Sequence, residues 1–382
     1  MKYTEEHKQF RKSLRTFIDN EVNPYVDEWE EAKIFPAHEL FPKFAEVGAF
    51  GLEYDPAYGG QGADHTFTLI LGEELGGCNC AGIPMAVAVQ AAMATPSLAR
   101  FGSHELKLKY LVPAMAGQMV AAIAVSEPDA GSDVAAIRTK AHRDGDDWVI
   151  NGRKMWITNG TQADWLCALV RTSDEGGYQG MSQLLISTDT PGFSVGRAID
   201  KMGNHCSDTA ELVFEDLRIP VSNTIGQAGR GFQQQMAQFQ DERLIASYMA
   251  TGGMKRALAR TKEYLHTRHA FGEPLIANQY IQYKLAELIA EVDMLVVYNR
   301  KAAQRYAKGE DVSRMATIAK LKAGRLQREV ADACMQFHGG LGYSAENWTS
   351  RFYRDSRLLS IGGGADEVML RVISLMEGMS TL

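Results

Sequence analysis

The sequence predicts an α+β chain in three parts: an N-terminal helical domain over residues 1–120, a middle antiparallel β-barrel or sandwich over 121–229, and a C-terminal four-helix bundle over 230–382. Three observations predict it. Apolar residues recur at helical spacing on both sides of the middle stretch, the period drops to two from Ala121, and turn signals separate short apolar runs there with no helical pattern between them.

In the first part, His7, Phe10, Leu14 and Phe17 share one helix face, with the acids of TEEH in the first turn, where they favour the helix dipole. Further helices are expected over 38–47, 65–75, 85–100 and 105–115, separated by Gly- and Pro-containing breaks such as DPAYGGQG. In the middle part, strands are expected at AAIAV, TKAHR, WVI, KMWIT, WLCALV, MSQLLIS, FSVGR and TAELVFED, with turns at Gly145-Asp146-Asp147, Asn151-Gly152, DEGG and DTPG. After Gly229-Arg230-Gly231 the helical period returns over 232–269, 281–308, 313–337 and 366–378, segments suited to an antiparallel bundle.

A chain of 382 residues can bury a large core. Its net charge of −7 gives no reason to expect nucleic acid or an anionic membrane as partner, so small-molecule chemistry is the default. The N-terminus MKYTEEHKQFRK lacks the basic and apolar regions of a targeting peptide, and no apolar run approaches the roughly 20 residues of a membrane span, which implies a cytoplasmic protein without membrane insertion. The five cysteines are odd in number and scattered, and Cys78-Asn79-Cys80 lacks the two-residue gap of zinc knuckles; they read as reduced packing residues, with no metal site.

No glycine-rich stretch has the GxGxxG or GxxxxGK[ST] spacing that cradles phosphates, which disfavours nicotinamide Rossmann and P-loop enzymes. In Val125-Ser-Glu-Pro-Asp-Ala-Gly-Ser-Asp133 a strand ends in a turn rich in backbone donors and hydroxyls, suited to a polar heterocycle or a thioester; the same composition also makes an ordinary turn. In Trp156-Ile157-Thr158 a flat ring and a hydroxyl stand two residues apart, on one face of a strand. The pair can cover an aromatic cofactor and bond its edge, although a strand tryptophan is commonly core.

VSEPDAGSD, KMWITNG, RHAFG with Gln279 after it, QFHGGLGY and RFYRD resemble, in order and spacing, the motifs of the acyl-CoA dehydrogenases, over essentially the whole chain. The resemblance implies the same three-domain fold, bound FAD, oxidation of the Cα–Cβ bond of an acyl-CoA to the trans-2-enoyl-CoA, an electron-transferring flavoprotein as acceptor, and a homotetramer. By position it implies flavin contacts from Ile123, Val125, Ser126, Trp156, Ile157 and Thr158, with Thr158 near N5, and places Ser132 at the cofactor and acyl-CoA. Arg268, Phe271, Gln279, Gln336, Gly339 and Gly340 resemble contacts to the FAD pyrophosphate and adenosine across a subunit interface, and Ala365 and Glu367 complete the cofactor set. Without the resemblance, Arg268 reads as a solvated helix-end charge and Gln336 as a buried amide. Ala270 departs from the hydroxyl residue some relatives carry, removing one flavin hydrogen bond.

Removing an α-proton while hydride leaves Cβ requires a fixed carboxylate on the far side of the substrate from the flavin. Many relatives supply it from a Tyr-Glu-Gly-Thr stretch before the last helix; here that stretch reads Gly362-Gly363-Gly364-Ala365, with Gly363 at the base position. Isovaleryl-CoA and long-chain acyl-CoA dehydrogenases carry the Glu on an earlier helix, just before an Arg, and Glu242-Arg243 in Phe239-Gln-Asp-Glu-Arg-Leu244 matches that position. Glu242 is the expected base. Asp241 competes locally, but consecutive helix residues point about 100° apart, so one direction cannot suit both. The bland alternative is a solvated Glu242 paired with Arg243.

Asp241, Arg243, Gly363 and Gly364 are expected at the substrate. The glycines leave volume for a branched or bulky chain, and FQDERL, GIPMA and QAAMATP look most like the branch acting on citronellyl-CoA and related branched acyl-CoAs. An oxygen-using acyl-CoA oxidase and a silent flavin-bearing binding protein are the alternatives on the same scaffold.

Overall fold

The computed structural model describes residues 2–379. Helix α1 (Glu5–Phe17) starts in a capping box in which the Thr4 side chain accepts from the His7 N–H and His7 bonds back, and it buries His7, Leu14 and Phe17. Helices α2 (Val26–Ala32), α3 (Ala37–Glu46), α4 (His65–Leu75), α5 (Gly82–Ala88), α6 (Thr95–Phe101), α7 (His104–Leu106) and α8 (Val112–Met115) complete the N-terminal part.

The expected continuous helix over 85–100 is interrupted by a π-helical turn at Val89–Ala94. Two more π turns occur at Ile18–Val22 and Lys107–Leu111. Each ends two residues before a proline (Pro24, Pro96 and Pro113), whose missing N–H would break the regular ladder; the wider turn absorbs the mismatch. The whole stretch Gly82–Phe101 is long and apolar enough to cross a membrane, contrary to the expectation that no such run exists. It is 83% buried and forms the wall of the N-terminal core.

The middle part is one sheet with strand order β6-β7-β3-β2-β4-β5-β8 and β1 beside β4. The strands are β1 (Ala121–Ala124), β2 (Lys140–Asp144), β3 (Asp147–Thr158), β4 (Trp165–Arg171), β5 (Met181–Ser187), β6 (Phe193–Ala198), β7 (Thr209–Pro220) and the short β8 (Thr224–Ile225). The sheet is antiparallel except that β1 runs parallel to β4, and β2 meets β4 in a parallel pair at Lys140 and Arg171. Asn151-Gly152 is not a turn: WVI and KMWIT are one strand, and the pair marks a bulge against β7. Gly152 is needed there, since its φ is +150° and a Cβ would stand 2.5 Å from the Thr139 hydroxyl oxygen.

The last part is built on α9 (Gly231–Thr267), α10 (Gln279–Tyr306) and α11 (Ser313–His338), which pack together over a core including Met254, Leu258, Leu288, Val292 and Val330. Between α9 and α10 lies an unanticipated two-stranded hairpin, β9 (His269–Ala270) and β10 (Glu273–Pro274). Helices α12 (Gly340–Tyr343), α13 (Trp348–Ser356) and α14 (Asp366–Met376) follow. Helix α9 also lies along α4 and the sheet, so the three parts meet on it.

Candidate active site

Two of the sequence motifs are locked together by a buried ion pair. Lys154 is fully buried; its Nζ lies 2.8 Å from Glu127 Oε1 and donates to the carbonyls of Val125 and Leu169 at 3.0 and 2.7 Å. Glu127 in turn accepts the backbone N–H groups of Arg138 and Thr139. Burial holds the Lys154 ammonium down at about 8 against the pull of Glu127, while Lys154 helps keep the Glu127 carboxyl below its usual range despite burial. This pair fixes the turn after β1, with Val125 and Ser126, to the end of β3; the Met155 N–H donates to the Ser126 carbonyl at 2.9 Å.

Directly after Lys154 the register of β3 slips, and Trp156 takes φ +66°. That conformation costs about 1 to 3 kcal/mol for a large residue. Its result is an indole 61% exposed beside a half-buried Thr158, both outward, with Ile157 turned into the sheet core. Asn159 anchors the segment by donating to the carbonyls of Ala86 and Ala121.

The residues expected at the cofactor divide accordingly. Trp156, Thr158, Ile123 and Ser126 retain exposed surface, and Ser132 is exposed in the loop after β1. The side chains of Val125 and Ile157 are buried in the β core, so a flavin contact from either residue would come from its backbone. Arg268, the C-cap of α9, is exposed, and Phe271 stands wholly in solvent at the hairpin tip with φ +54°. Gln279, Gln336, Gly339 and Gly340 are exposed at helix ends; Gln336 is not the buried amide of the alternative reading. Ala365 caps α14, and Glu367 is exposed in its first turn. An outward indole held on strained backbone, next to a hydroxyl and a locked turn, fits one face of a planar cofactor.

Glu242 sits on α9, whose N-terminal half is pinned by Gln235 to Gln183 of β5 and by Gln238 to Ser97 of α6. Its Oε1 lies 2.9 Å from the point a Cβ on Gly363 would occupy, so the carboxylate fills the space the glycine leaves. Gly363 and Gly364 have φ +62° and +90°, conformations that L side chains rarely adopt. Burial raises the Glu242 pKa, opposed by Arg243 and by Lys320.

Lys320, on α11, was not singled out in the sequence. Its side chain is buried, Nζ donates to the Gly364 carbonyl, and burial lowers its pKa to about 8. A lysine amid the buried Ala316, Ala319 and Ala323 was the signal that could have found it. Arg243 Nη1 donates to Thr317 one turn before Lys320, and burial lowers its pKa.

Asp241 is corrected as a substrate contact. Its carboxylate pairs with Arg100 at 2.7 Å and accepts from Tyr306, in a cavity between α4, α6 and α9 that also holds Glu53 and His65. Within it His65 Nδ1 stands 2.7 Å from Glu53 Oε1, and Thr68 donates to the same oxygen. A different cavity adjoins the Glu242–Gly363 contact: Ala246, one turn beyond Glu242, and Leu358, against Gly362, both line it, with Met85, Met249, Ala250 and Leu359.

Comparisons with known proteins agree with this arrangement. Family models described as acyl-CoA dehydrogenase N-terminal, middle and C-terminal domains match residues 4–118, 122–217 and 229–375. A long-chain specific mitochondrial acyl-CoA dehydrogenase of Sus scrofa is 36% identical over 97% of this chain and 86% of its own. The crystal structure of a probable acyl-CoA dehydrogenase from Mycobacterium abscessus superposes with TM-score 0.95 at 40% identity, covering 98% of this chain and 99% of that one. A glutaryl-CoA dehydrogenase from Mycobacterium smegmatis in complex with FADH2 superposes with TM-score 0.93 at 28% identity, covering 100% and 96%. With its fold, its three matched domains and a site shaped for a planar cofactor, this chain belongs to the acyl-CoA dehydrogenase family of FAD-dependent enzymes.

Proposed function

We propose that this enzyme dehydrogenates a medium- or long-chain acyl-CoA, with room for branching near the reacting carbons, and that Glu242 is its base. The observation that carries the reading is the Glu242 carboxylate against Gly363, on the loop where many relatives place the catalytic acid. A buried carboxylate with a raised pKa is a stronger proton acceptor than a solvated one, and helix α9 holds it in one direction before substrate arrives. Glu242 takes the acidic proton from Cα, and a bound FAD would supply the acceptor for the hydride that leaves Cβ, giving the trans-2-enoyl thioester.

Trp156 and Thr158 hold the isoalloxazine in this reading, Thr158 bonding its edge, and Lys320 tethers the glycine loop through the Gly364 carbonyl. After Arg243, Lys320 also opposes the rise that burial gives the Glu242 pKa. The glycines at 362–364 remove side-chain bulk beside Cα and Cβ, which supports acceptance of methyl branches of the citronellyl type.

Arg268, Gln279 and the Gln336–Gly340 segment reach the nucleotide half of FAD across a subunit contact. An exposed face on α10, with Tyr280, Tyr283, Met294 and Val297, supports assembly of a homotetramer. Electrons then pass to an electron-transferring flavoprotein. The test is anaerobic titration of the yellow protein with isovaleryl-, octanoyl-, citronellyl- and palmitoyl-CoA: bleaching by longer or branched chains supports the reading, and bleaching by short straight chains alone overturns the substrate class.

A further inference from the structure

One face of α9 runs from Glu242 to a pair of arginines that no carboxylate among the described residues touches at hydrogen-bond distance. Ala246, Met249, Ala250, Gly253, Arg256 and Arg260 follow Glu242 along one face of the helix, and all line the cavity beyond the Glu242–Gly363 contact. Its opposite wall near Glu242 is apolar, from Met85, Leu358 and Leu359. At the far end the lining becomes polar, with Asn79 and Gln327 beside the two guanidinium groups.

Neither cation has a carboxylate in hydrogen-bond contact among the described residues. Arg256 Nη2 and Arg260 Nη1 donate to the same neutral acceptor, the Asn79 amide oxygen, at 3.2 and 3.3 Å. Arg256 also donates to the Gly77 carbonyl, and Arg260 lies 4.3 Å over the Trp348 ring. The nearest carboxylate to Arg256 is the half-exposed Asp19 at 3.9 Å; among the described residues none lies within 4 Å of Arg260. Asp355 lines the same cavity, but its oxygens accept from the backbone of Ala81 and Asn204. Burial and then the neighbouring Arg256 push the Arg260 pKa down, and Glu263 opposes them only in part.

We propose that this pair binds a carboxylate at the distal end of the acyl chain, so that the preferred substrates are ω-carboxyacyl-CoA thioesters. The inference rests on the acyl-CoA reading above and deepens it. The apolar middle of the cavity takes the methylenes, and the anion enters between two guanidinium groups that otherwise repel, in the forked geometry that suits a carboxylate. The distance sets the length: Arg256 and Arg260 lie 14 and 18 residues beyond Glu242, about 21 and 27 Å of helix. Their side chains reach back along it, so the matching diacid is medium to long.

The test compares kcat/KM of the FAD-loaded full-length enzyme, with a dye acceptor, on dodecanoyl-CoA and on the mono-CoA thioester of dodecanedioic acid, and on the corresponding sixteen-carbon pair. The expected result is a preference for the ω-carboxy substrate in at least one pair. In Arg260→Gln the ratio of diacid to plain kcat/KM should fall about 10- to 100-fold, mostly through KM, the usual worth of a charge-assisted bond. Arg260→Lys should restore part of that ratio. Plain chains turned over with no diacid preference, or an unchanged ratio in a folded Arg260→Gln protein, overturns the inference alone. Flavin bleached by none of the four thioesters overturns the acyl-CoA reading beneath it.

Discussion

Glu242 and Gly363 occupy one volume between them: the carboxylate oxygen stands 2.9 Å from where the glycine's Cβ would begin. Glu242→Gln keeps that shape and removes the proton acceptor. Turnover should fall about 10²- to 10⁴-fold while bound FAD and the melting temperature stay near wild type. Stopped-flow flavin reduction checks this, and near-normal reduction would remove Glu242 from the chemistry.

Gly363→Ala tests the other partner. The substitution forces an L side chain into φ +62° and against the Glu242 oxygen, costing about 1 to 2 kcal/mol. The variant should melt lower and also turn over more slowly, because relief of the clash moves the base. A stable variant with full activity would show that the two residues do not share a pocket.

The pH profile should carry the raised Glu242 pKa. The base works ionised, so kcat/KM should rise with pH through a value above the ordinary carboxylate range near 4.5. Lys320 lowers that pKa, so Lys320→Met should move the acid limb to higher pH. An unmoved limb in that variant would mean Lys320 does not sense the base.

Lys154→Met leaves Glu127 buried without its partner and should destabilise the protein by about 3 to 5 kcal/mol. The double variant Glu127→Leu with Lys154→Met should recover much of this, read by thermal melts. The sign with pH follows from the depressed Glu127 pKa: its contribution is full above about 4.5 and is lost as pH falls through the lower folded value, so wild type should lose stability on acidification in that window. A single variant as stable as wild type would make the pair incidental.

The helices of the first and last parts were legible because apolar periodicity is local: α4 runs over His65–Leu75 as expected. The strand β3 was misread at Asn151-Gly152, since that dipeptide suits a tight hairpin and a bulge alike, and the pairing with β7 and the close approach of Thr139, just before β2, decide between them. The placement of Glu242 opposite Gly363 followed from motif position. The roles of Lys320 and of the Glu127–Lys154 pair did not, because burial of a lysine depends on elements distant in sequence. The opposite facing of Asp241 was half legible, since helix geometry separates neighbours but not which direction meets Arg100.

Carrying the carboxylate on a rigid helix separates two tasks that a single loop would otherwise combine. In the proposed mechanism the 360–365 crossing does not supply the reacting group, so its residues can change in bulk to reshape the space around Cα and Cβ while the proton acceptor keeps its aim. In this lineage, diversification of what is accepted can proceed on one segment without retuning the acid–base step on the other.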